Sequence, residues 1–341
     1  MRISVLDQSP ISEGMTGADA LRNSVDLARF TEELGYHRYW VAEHHGTPML
    51  ASPAPEVLIA AIASATTTLR VGSGGVMLPH YSPVKVAEVF SMLAGLYPHR
   101  IDLGLGRAAG TDPTTTFALQ RDRRQAVPDD FPQQLAELIA YIEDSMPADH
   151  PFARLTLLPG RPEKPELWLL GSSPQSGIWA AETGLPYAFA DFISPNGADI
   201  CREYRETCEN PRVMVAVSAI CAETDEEAWR ISASSRMAFM LLRQGQLVSV
   251  PPIEKALAYF AEQGLPHDAL PAGRRAIIGS PSTVRAGLEA VAAEYGAEEV
   301  MIVTITHEHE ARKKSYELIA SALQSPLPRA GEGGAQRRVR V

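Results

Sequence analysis

The sequence contains few cysteines and no long hydrophobic run, and these two absences exclude whole classes of protein. Its 341 residues include three cysteines, Cys201, Cys208 and Cys221, which are too few and too odd in number for a disulfide framework. No run of about 18 apolar residues occurs, so a membrane-spanning helix is not expected. The N-terminus also lacks the basic and then apolar segments of a secretory signal. We therefore predict a reduced, cytoplasmic protein.

Basic residues are scarce as well. The chain has 31 Lys and Arg against 41 Asp and Glu, which gives a formal net charge of −10. Contacts with nucleic-acid phosphates depend on Lys and Arg, so we do not expect a nucleic-acid partner. Residues 325–341 are the exception, because they are rich in Gly and Pro and carry four arginines against one glutamate. This segment is predicted to be a disordered basic tail.

What the sequence does contain is a regular alternation of strand-like apolar runs and amphipathic helical stretches. Such alternation predicts a parallel sheet covered by helices, and eight runs favour a closed (β/α)8 TIM barrel of the α/β class over an open doubly wound sheet. Two long spacings predict insertions after strands 4 and 7, and residues 1–324 are predicted to form a single domain. The eight runs are Ile3–Leu6, Arg38–Ala42, Leu69–Gly72, Ile101–Leu105, Leu167–Leu170, Tyr187–Ala190, Val213–Ile220 and Val300–Ile305.

Helices are predicted from a 3.6-residue apolar period and from cap signals. A long helix over Asp225–Gln244 precedes Gly245–Pro252, which we interpret as a lid that closes over the site. The segment Pro53–Ala65 is apolar nearly all round, which suits either a dimer face or packing against neighbouring helices. The other predicted helices are Asp19–Gly35, Pro83–Leu96, Phe131–Ile142, Pro174–Gly184 and Pro281–Tyr295.

In TIM barrels the functional residues follow the strands, at their C-terminal ends. Glu43, His44 and His45 follow the second predicted strand. Neighbours on an extended segment point to opposite faces, so at most one of the two histidines would face the barrel mouth squarely. A general base or a hydrogen-bonding pair is favoured. A metal site and histidines that only pack are the other interpretations, and no further His, Asp or Cys occurs at metal-ligand spacing.

Glycines follow the third and fourth predicted strands. Ser73, Gly74 and Gly75 would let a flat ligand approach the backbone closely, or would form a simple bulge. The glycines around Arg107 do not have the G-x-G-x-x-G spacing of a dinucleotide site. Arg107 itself is a candidate for binding a phosphate or an anionic ring edge. Three arginines nearby could assist it or lie on a solvated face: Arg121, Arg123 and Arg124.

A serine-rich segment follows the fifth predicted strand. Gly171 and Ser172 precede Ser173, which suits a helix N-cap, and Pro174, which suits the first turn. The N-terminus of such a helix binds anions through its free N–H groups and its dipole, and serine hydroxyls add donors. The segment is therefore interpreted as a phosphate site, with a plain capped helix as the alternative.

Five segments, in this order, resemble the bacterial luciferase-like family of flavin-dependent monooxygenases. They are RYWVAEHH, TTTLRVGSGGVMLPHYSPVKVAE, RIDLGLGRAAGTDP, LWLLGSS and the stretch Ile277–Pro281. The resemblance covers about residues 2–323 and is closest to the single-chain oxidoreductases of unassigned substrate. It implies a TIM barrel with insertions and reduced FMN over the barrel mouth, supplied by a separate NAD(P)H:flavin reductase. It further implies O2 as co-substrate, a small organic substrate and a homodimer.

The resemblance also implies roles for particular residues. His44 matches the family's active-site histidine, a base or a stabiliser of the flavin–oxygen adduct, and His45 matches the neighbouring position. Gly74-Gly75 matches a place where the family commonly has a cis peptide that is not before proline, and we predict one here. Arg107, with Ser173 and Ser176, matches positions that hold the phosphate. The implied cofactor-binding set is Ser73, Gly74, Gly75, Arg107, Gly171, Ser172, Ser173 and Ser176.

The sequence departs from luciferase at two of these places. Gly106 stands where luciferase has a reactive cysteine, and Ser172 stands where it has a glutamate. Light emission and the use of long-chain aldehydes are therefore not implied. Three other functions stay open from the sequence: hydride transfer from a reduced deazaflavin, flavin binding without catalysis, and metal-dependent hydrolysis on a barrel.

Overall fold

The structure is a computed structural model that describes residues 1–107, 112–120, 122–124, 130–160 and 163–324. The predicted basic tail, residues 325–341, and Arg121 lie outside the described residues. The strands are β1 Arg2–Asp7, β2 Arg38–Val41, β3 Arg70–Met77, β4 Ile101–Gly106, β5 Glu166–Gly171, β6 Tyr187–Ala190, β7 Val213–Cys221, β8 Ile277–Gly279 and β9 Glu299–Val303. The helices are α1 Gly17–Glu33, α2 Pro55–Ala65, α3 Pro83–Leu96, α4 Pro113–Leu119, α5 Phe131–Glu143, α6 Pro174–Thr183, α7 Ala198–Thr207, α8 Asp225–Arg243, α9 Ile253–Glu262, α10 Pro281–Tyr295 and α11 His309–Gln324, with a 3-10 turn at Leu78–His80.

Eight parallel strands close into a barrel. The order is β6-β5-β4-β3-β2-β1-β9-β7, and pairing of β6 with β7 completes the ring. Every strand of the ring overlaps one of the eight predicted runs, so the TIM-barrel prediction is confirmed. The short strand β8 was not predicted, and among the described strands it pairs only with Ala219–Cys221 at the end of β7. It belongs to the insertion after β7, which also contains α8 and α9.

Local capping chemistry decides where the helices begin. Helix α1 begins at Gly17, two residues before the predicted Asp19, because Thr16 and Asp19 form a reciprocal capping box. Helices α3 and α10 have the predicted bounds. The insertion after β4 contains the short helix α4, which the sequence did not predict and which Asp112 caps by accepting from the N–H groups of Thr114 and Thr115. None of the helices in the described residues is long and apolar enough to cross a membrane.

Alternate side chains of each strand build two apolar regions. On β1, Val5 packs outward against the helices, whereas Leu6 packs inside the barrel. Trp40 and Trp168 meet edge to face inside the barrel, with ring centroids 5.6 Å apart. The three cysteines are free thiols buried in the core, which agrees with the prediction that they form no disulfide framework.

A network of ion pairs fills the N-terminal end of the barrel. Arg38, at the start of β2, donates to Asp102 (2.8 Å), Glu166 (2.7 Å) and Glu299 (3.2 Å), which lie on three other strands. Burial by itself raises the pKa of Glu166. The charge of Arg38 and hydrogen bonds from Arg38 and Arg212 outweigh this effect and lower the pKa of Glu166 to about 2. The charged network thus occupies the end of the barrel opposite to the expected site.

Candidate active site

A cavity of about 440 Å³ opens at the C-terminal ends of the strands, where the sequence placed the site. Inward-facing side chains of the strands form its interior, and the segments that follow β2, β4 and β5 form its mouth. Eight of the ten predicted site residues line it: His44, Gly74, Gly75, Arg107, Gly171, Ser172, Ser173 and Ser176. The structure therefore brings together most of the candidates from four separate sequence segments.

His44 faces the cavity with an unsatisfied ring nitrogen. Its Nδ1 atom is buried and has no hydrogen-bond partner among the described residues. Burial, and to a smaller extent the neighbouring His45, lower the pKa of His44 from 6.5 to about 4. At neutral pH the imidazole is uncharged, with one N–H and one lone pair.

His45 is held away from the cavity by Glu43. The Nε2 atom of His45 lies 2.7 Å from Glu43 Oε1, and its ring stands edge to face with His80. The buried Glu43 carboxylate also accepts from the Met77 backbone N–H (2.9 Å) and the Tyr81 hydroxyl (2.8 Å). The expectation that at most one histidine faces the mouth is confirmed. His45, which was also predicted to be catalytic, is not among the residues that line the cavity.

The glycine pair after the first part of β3 forms one wall of the cavity. The Gly74–Gly75 peptide bond is cis, as predicted. A Cβ atom on Gly74 would lie 2.5 Å from Leu6 Cδ1, and one on Gly75 would lie 2.8 Å from the Gly104 carbonyl oxygen. These approaches explain why glycine occupies both positions, since any side chain would displace the barrel interior or strand β4.

Ser73 does not contribute to the cavity, although it was predicted to bind the cofactor. It is fully buried, and its hydroxyl donates to the Gly104 carbonyl at 2.8 Å. Consecutive residues of a strand alternate between its two sides, so the side chain of Ser73 points away from the side that Gly74 presents. Its role is to connect β3 to β4.

The segment after β5 ends in the start of α6, as predicted. Ser173 is exposed at the N-cap, while Ser176 is buried. The Ser176 Oγ atom accepts from the Ser173 N–H (3.3 Å) and lies 2.8 Å from the Tyr187 hydroxyl. Only glycine fits at position 171, because a Cβ atom there would collide with the Ser176 side chain. Ser172 and Ser173 line the cavity, and Ser176, which also lines it, fixes the loop through these contacts.

Arg107 stands at the rim of the cavity, against α6. Its guanidinium carbon lies 5.4 Å from the centroid of the Trp179 ring, and both residues line the cavity. Arg124 instead pairs with Asp122 at 2.8 Å, and Arg123 lies over the Phe117 ring. Neither of these two arginines lines the cavity. The described arginine at the mouth is thus Arg107.

The lining residues that were not predicted from the sequence include Gln8 and Trp179. Gln8 follows β1, is 4% exposed, and has a buried Oε1 without a hydrogen-bond partner among the described residues. Its position directly after the first predicted strand was the available signal. Trp179 lies one turn into α6. A tryptophan at such a position in a predicted helix cannot be distinguished from an ordinary packing residue.

The second half of the predicted lid, Gly245–Pro252, is attached to the barrel, where the Ser249 hydroxyl donates to the Pro48 carbonyl (3.4 Å) and Val250 is held by backbone hydrogen bonds. Val250 is buried, its N–H donates to the Ile11 carbonyl (2.9 Å), and its own carbonyl accepts from the Glu13 N–H (2.8 Å). A closing movement of this segment would therefore be restricted to the residues before Val248, since Val248 also packs against the apolar interior of the barrel. Leu247, in that part, is 45% exposed.

Comparison with known proteins identifies the family. A family model described as luciferase-like monooxygenase matches residues 1–299. The chain belongs to this family. It is therefore a flavin-dependent monooxygenase, which confirms the resemblance seen in the sequence and the prediction that the protein is an enzyme.

The relatives cover nearly the whole chain. An Escherichia coli K12 protein named luciferase-like monooxygenase is 40% identical over 322 residues, which are 92% of this chain and 95% of that one. The N-acetyl-S-alkylcysteine monooxygenase of Bacillus subtilis is 38% identical over 331 residues, 95% of this chain and 98% of that one. The crystal structure of apo-MsnO8 is 41% identical and superposes with a TM-score of 0.86, covering 94% of this chain and 98% of that one.

Proposed function

We propose that the protein is the oxygenase of a two-component system, using reduced FMN from a separate NAD(P)H:flavin reductase and O2 to oxygenate a small organic substrate. One observation carries the proposal. A single cavity combines a glycine wall, a helix N-terminus with Arg107 beside it, and a partly buried, uncharged His44. The glycine wall suits a flat ring system, the helix N-terminus with Arg107 suits a phosphate, and His44 suits the reacting atoms.

The residues at the mouth fit the phosphate of FMN. The N-terminus of α6 offers the positive end of its dipole and the hydroxyls of Ser172 and Ser173, and Arg107 adds a positive charge on the same side. Gly74 and Gly75 would allow the isoalloxazine ring to lie against backbone. When bound, the reduced flavin supplies the electrons that activate O2.

The protein's own contribution centres on His44 and on the apolar walls. An uncharged His44 can accept a proton at its free lone pair or donate a hydrogen bond to a reacting oxygen atom without first losing a proton. The apolar interior, including Leu6, Ala216 and Met301, excludes water from the reacting atoms. Glu43 positions the segment after β2 and therefore His44.

The first substrate class to test comes from a relative. The Bacillus subtilis relative is named for N-acetyl-S-alkylcysteine, a thioether that also carries an amide and a carboxylate. We propose small organic molecules of this size as substrates, and N-acetyl-S-alkylcysteines as the first compounds to assay.

The test combines FMN binding with oxygen consumption. We expect the purified protein to bind FMN and, with a flavin reductase and NAD(P)H, to consume O2 in a substrate-dependent manner. Because His44 handles the proton, His44→Ala should bind FMN within about 3-fold of wild type while turnover falls about 100-fold or more. His45→Ala, a matched change beside the cavity, should lose less turnover. Unchanged turnover in His44→Ala, or hydride transfer from reduced deazaflavin without O2 consumption, would contradict the proposal.

We also propose that the enzyme is a cytoplasmic homodimer. Val57 on α2 is 68% exposed, and Met92 and Leu96 on α3 are 56% and 66% exposed, which leaves large apolar side chains on these two helices without cover. Burial raises the pKa values of the Cys201 and Cys221 thiols to about 12, which suits unreactive thiols in a reducing compartment. Sedimentation equilibrium of wild type and Val57→Asp would test the dimer, since a charge at this position should favour the monomer.

A further inference from the structure

One buried polar group in the cavity has no role in the proposed mechanism. The Gln8 side chain is 4% exposed and lines the same cavity as His44, and its Oε1 atom has no partner among the described residues. A buried amide oxygen without a hydrogen bond destabilises the fold, so such atoms are uncommon in native proteins unless something else satisfies them. A ligand that enters the cavity can provide the missing partner.

The position of Gln8 separates it from the phosphate-binding side of the mouth. In the closed strand order, β1 is four strands from β5 in either direction. Gln8 at the end of β1 and Ser173 at the start of α6 therefore stand on opposite sides of the barrel. A cofactor anchored through its phosphate at α6 leaves the Gln8 side available to a second molecule, the substrate.

The charges around the cavity define what this second molecule can be. Glu43 is the carboxylate in the lining, and both its oxygens already accept hydrogen bonds. His44 is uncharged at neutral pH, and the cation of the described lining, Arg107, lies on the α6 side. A substrate carboxylate placed beside Gln8 would be buried without a cation and close to another negative charge, which is strongly unfavourable.

We propose that Gln8 is a specificity-determining residue whose side-chain amide binds an uncharged amide group of the substrate. A primary amide offers both a donor and an acceptor, and an amide of the substrate offers the complementary pair. Apolar residues that line the same cavity, such as Leu6 and Met301, take the hydrocarbon part. This inference rests on the proposed function insofar as it assigns the α6 side to FMN and the Gln8 side to substrate.

The test uses hexanamide and hexanoate, two probes of equal length that differ in the polar group. Their binding to the FMN-saturated protein is measured by calorimetry and by the change in the FMN visible spectrum. We expect wild type to bind hexanamide at least about 10-fold more tightly than hexanoate. The reason is that the amide gains a hydrogen bond with Gln8, whereas the carboxylate would be buried without a partner for its charge. Gln8→Leu, and Gln8→Met as a second variant of similar length, should reduce hexanamide affinity about 10-fold and leave the FMN dissociation constant unchanged.

The chain offers a matched control. Gln134 on α5 is also 4% exposed with both amide atoms unpartnered among the described residues, but it does not line the cavity. Gln134→Leu should leave both probe affinities as in wild type. Equal affinity of wild type for the two probes, or unchanged hexanamide binding in both Gln8 variants, would overturn the inference. Weaker FMN binding in the Gln8 variants would overturn it too, by placing Gln8 against the flavin. A wild-type protein that discriminates the probes but does not consume O2 would refute the proposed function and leave this inference standing.

Discussion

At the scale of single residues, the environment decides the chemistry of the two adjacent histidines. His44 and His45 differ by one position, yet His44 faces the cavity uncharged while His45 is bonded to the buried Glu43. The alternation of an extended segment separates their directions. Desolvation then separates their chemistry, because the charged imidazolium is unfavourable where water is excluded.

The lowered pKa of His44 makes stability depend on pH. Its pKa is about 4 in the folded protein and about 6.5 when unfolded, so the unfolded chain binds more protons between these values. Stability contributed by the uncharged His44 is fully present above pH 6.5 and is lost as the pH falls towards 4, by up to about 3 kcal/mol. We expect His44→Gln to lose less free energy of unfolding than wild type between pH 7 and pH 4.5, measured by urea titration. Parallel curves for the two proteins would show that His44 is not desolvated in this way.

At the scale of elements, the turn from β5 into α6 was predicted from local sequence, but one of its tertiary contacts was not. Ser173 and Pro174 predicted the helix start, and the helix begins there. The same segment did not reveal that Ser176 turns inward against Gly171 and Tyr187. That contact fixes the loop that carries Ser172 and Ser173, two residues that line the cavity.

The contact between Gly171 and Ser176 can be tested with a double-mutant cycle. Gly171→Ala should destabilise the protein by about 1–3 kcal/mol, because the added methyl group collides with the Ser176 side chain. Ser176→Gly removes the colliding atoms, so the double variant should be less destabilised than the sum of the single variants by about 1 kcal/mol. Denaturant unfolding of all four proteins gives the coupling, and simple additivity would disprove the contact.

At the scale of the whole molecule, the barrel has a charged end and a functional end. The ion pairs of Arg38 connect β2 with β4, β5 and β9 at the N-terminal end, while the cavity occupies the other. This separation is the usual division of a TIM barrel into a stabilising face and a catalytic face. Residues at the N-terminal end should therefore affect stability much more than ligand binding.

Removing Arg38 should destabilise the barrel without altering the site directly. Arg38→Met leaves Asp102, Glu166 and Glu299 without their shared cation, which should cost about 3–5 kcal/mol in free energy of unfolding. Arg22→Met breaks an exposed pair with Asp19 and should change stability by less than about 1 kcal/mol. FMN affinity measured at a temperature where the Arg38 variant is folded should equal that of wild type. If Arg38→Met lost as little free energy of unfolding as Arg22→Met, the ion-pair network would contribute little to stability.

The barrel could be predicted from the sequence because its causes are local and repeated. Each strand such as Ile101–Gly106 is marked by its own apolar residues, and the eightfold repetition favours closure. The short strand β8 escaped prediction because its three residues form a strand only by pairing with the end of β7. Most site residues could be located by their position after strands, but Ser73 could not be excluded from the site until the register of β3 was known.

The sequence by itself determined the fold class, the family, and the segments that supply His44, Arg107 and the serines. It could do so because the apolar pattern of the strands and the order of the motifs are properties of the linear sequence. The tertiary structure decided which atoms of these segments meet. Only folding places Gln8 across the barrel from α6, turns Ser73 towards Gly104, and removes water from His44. Direction, burial and charge state depend on neighbours distant in sequence, and these neighbours are assembled only when the barrel closes.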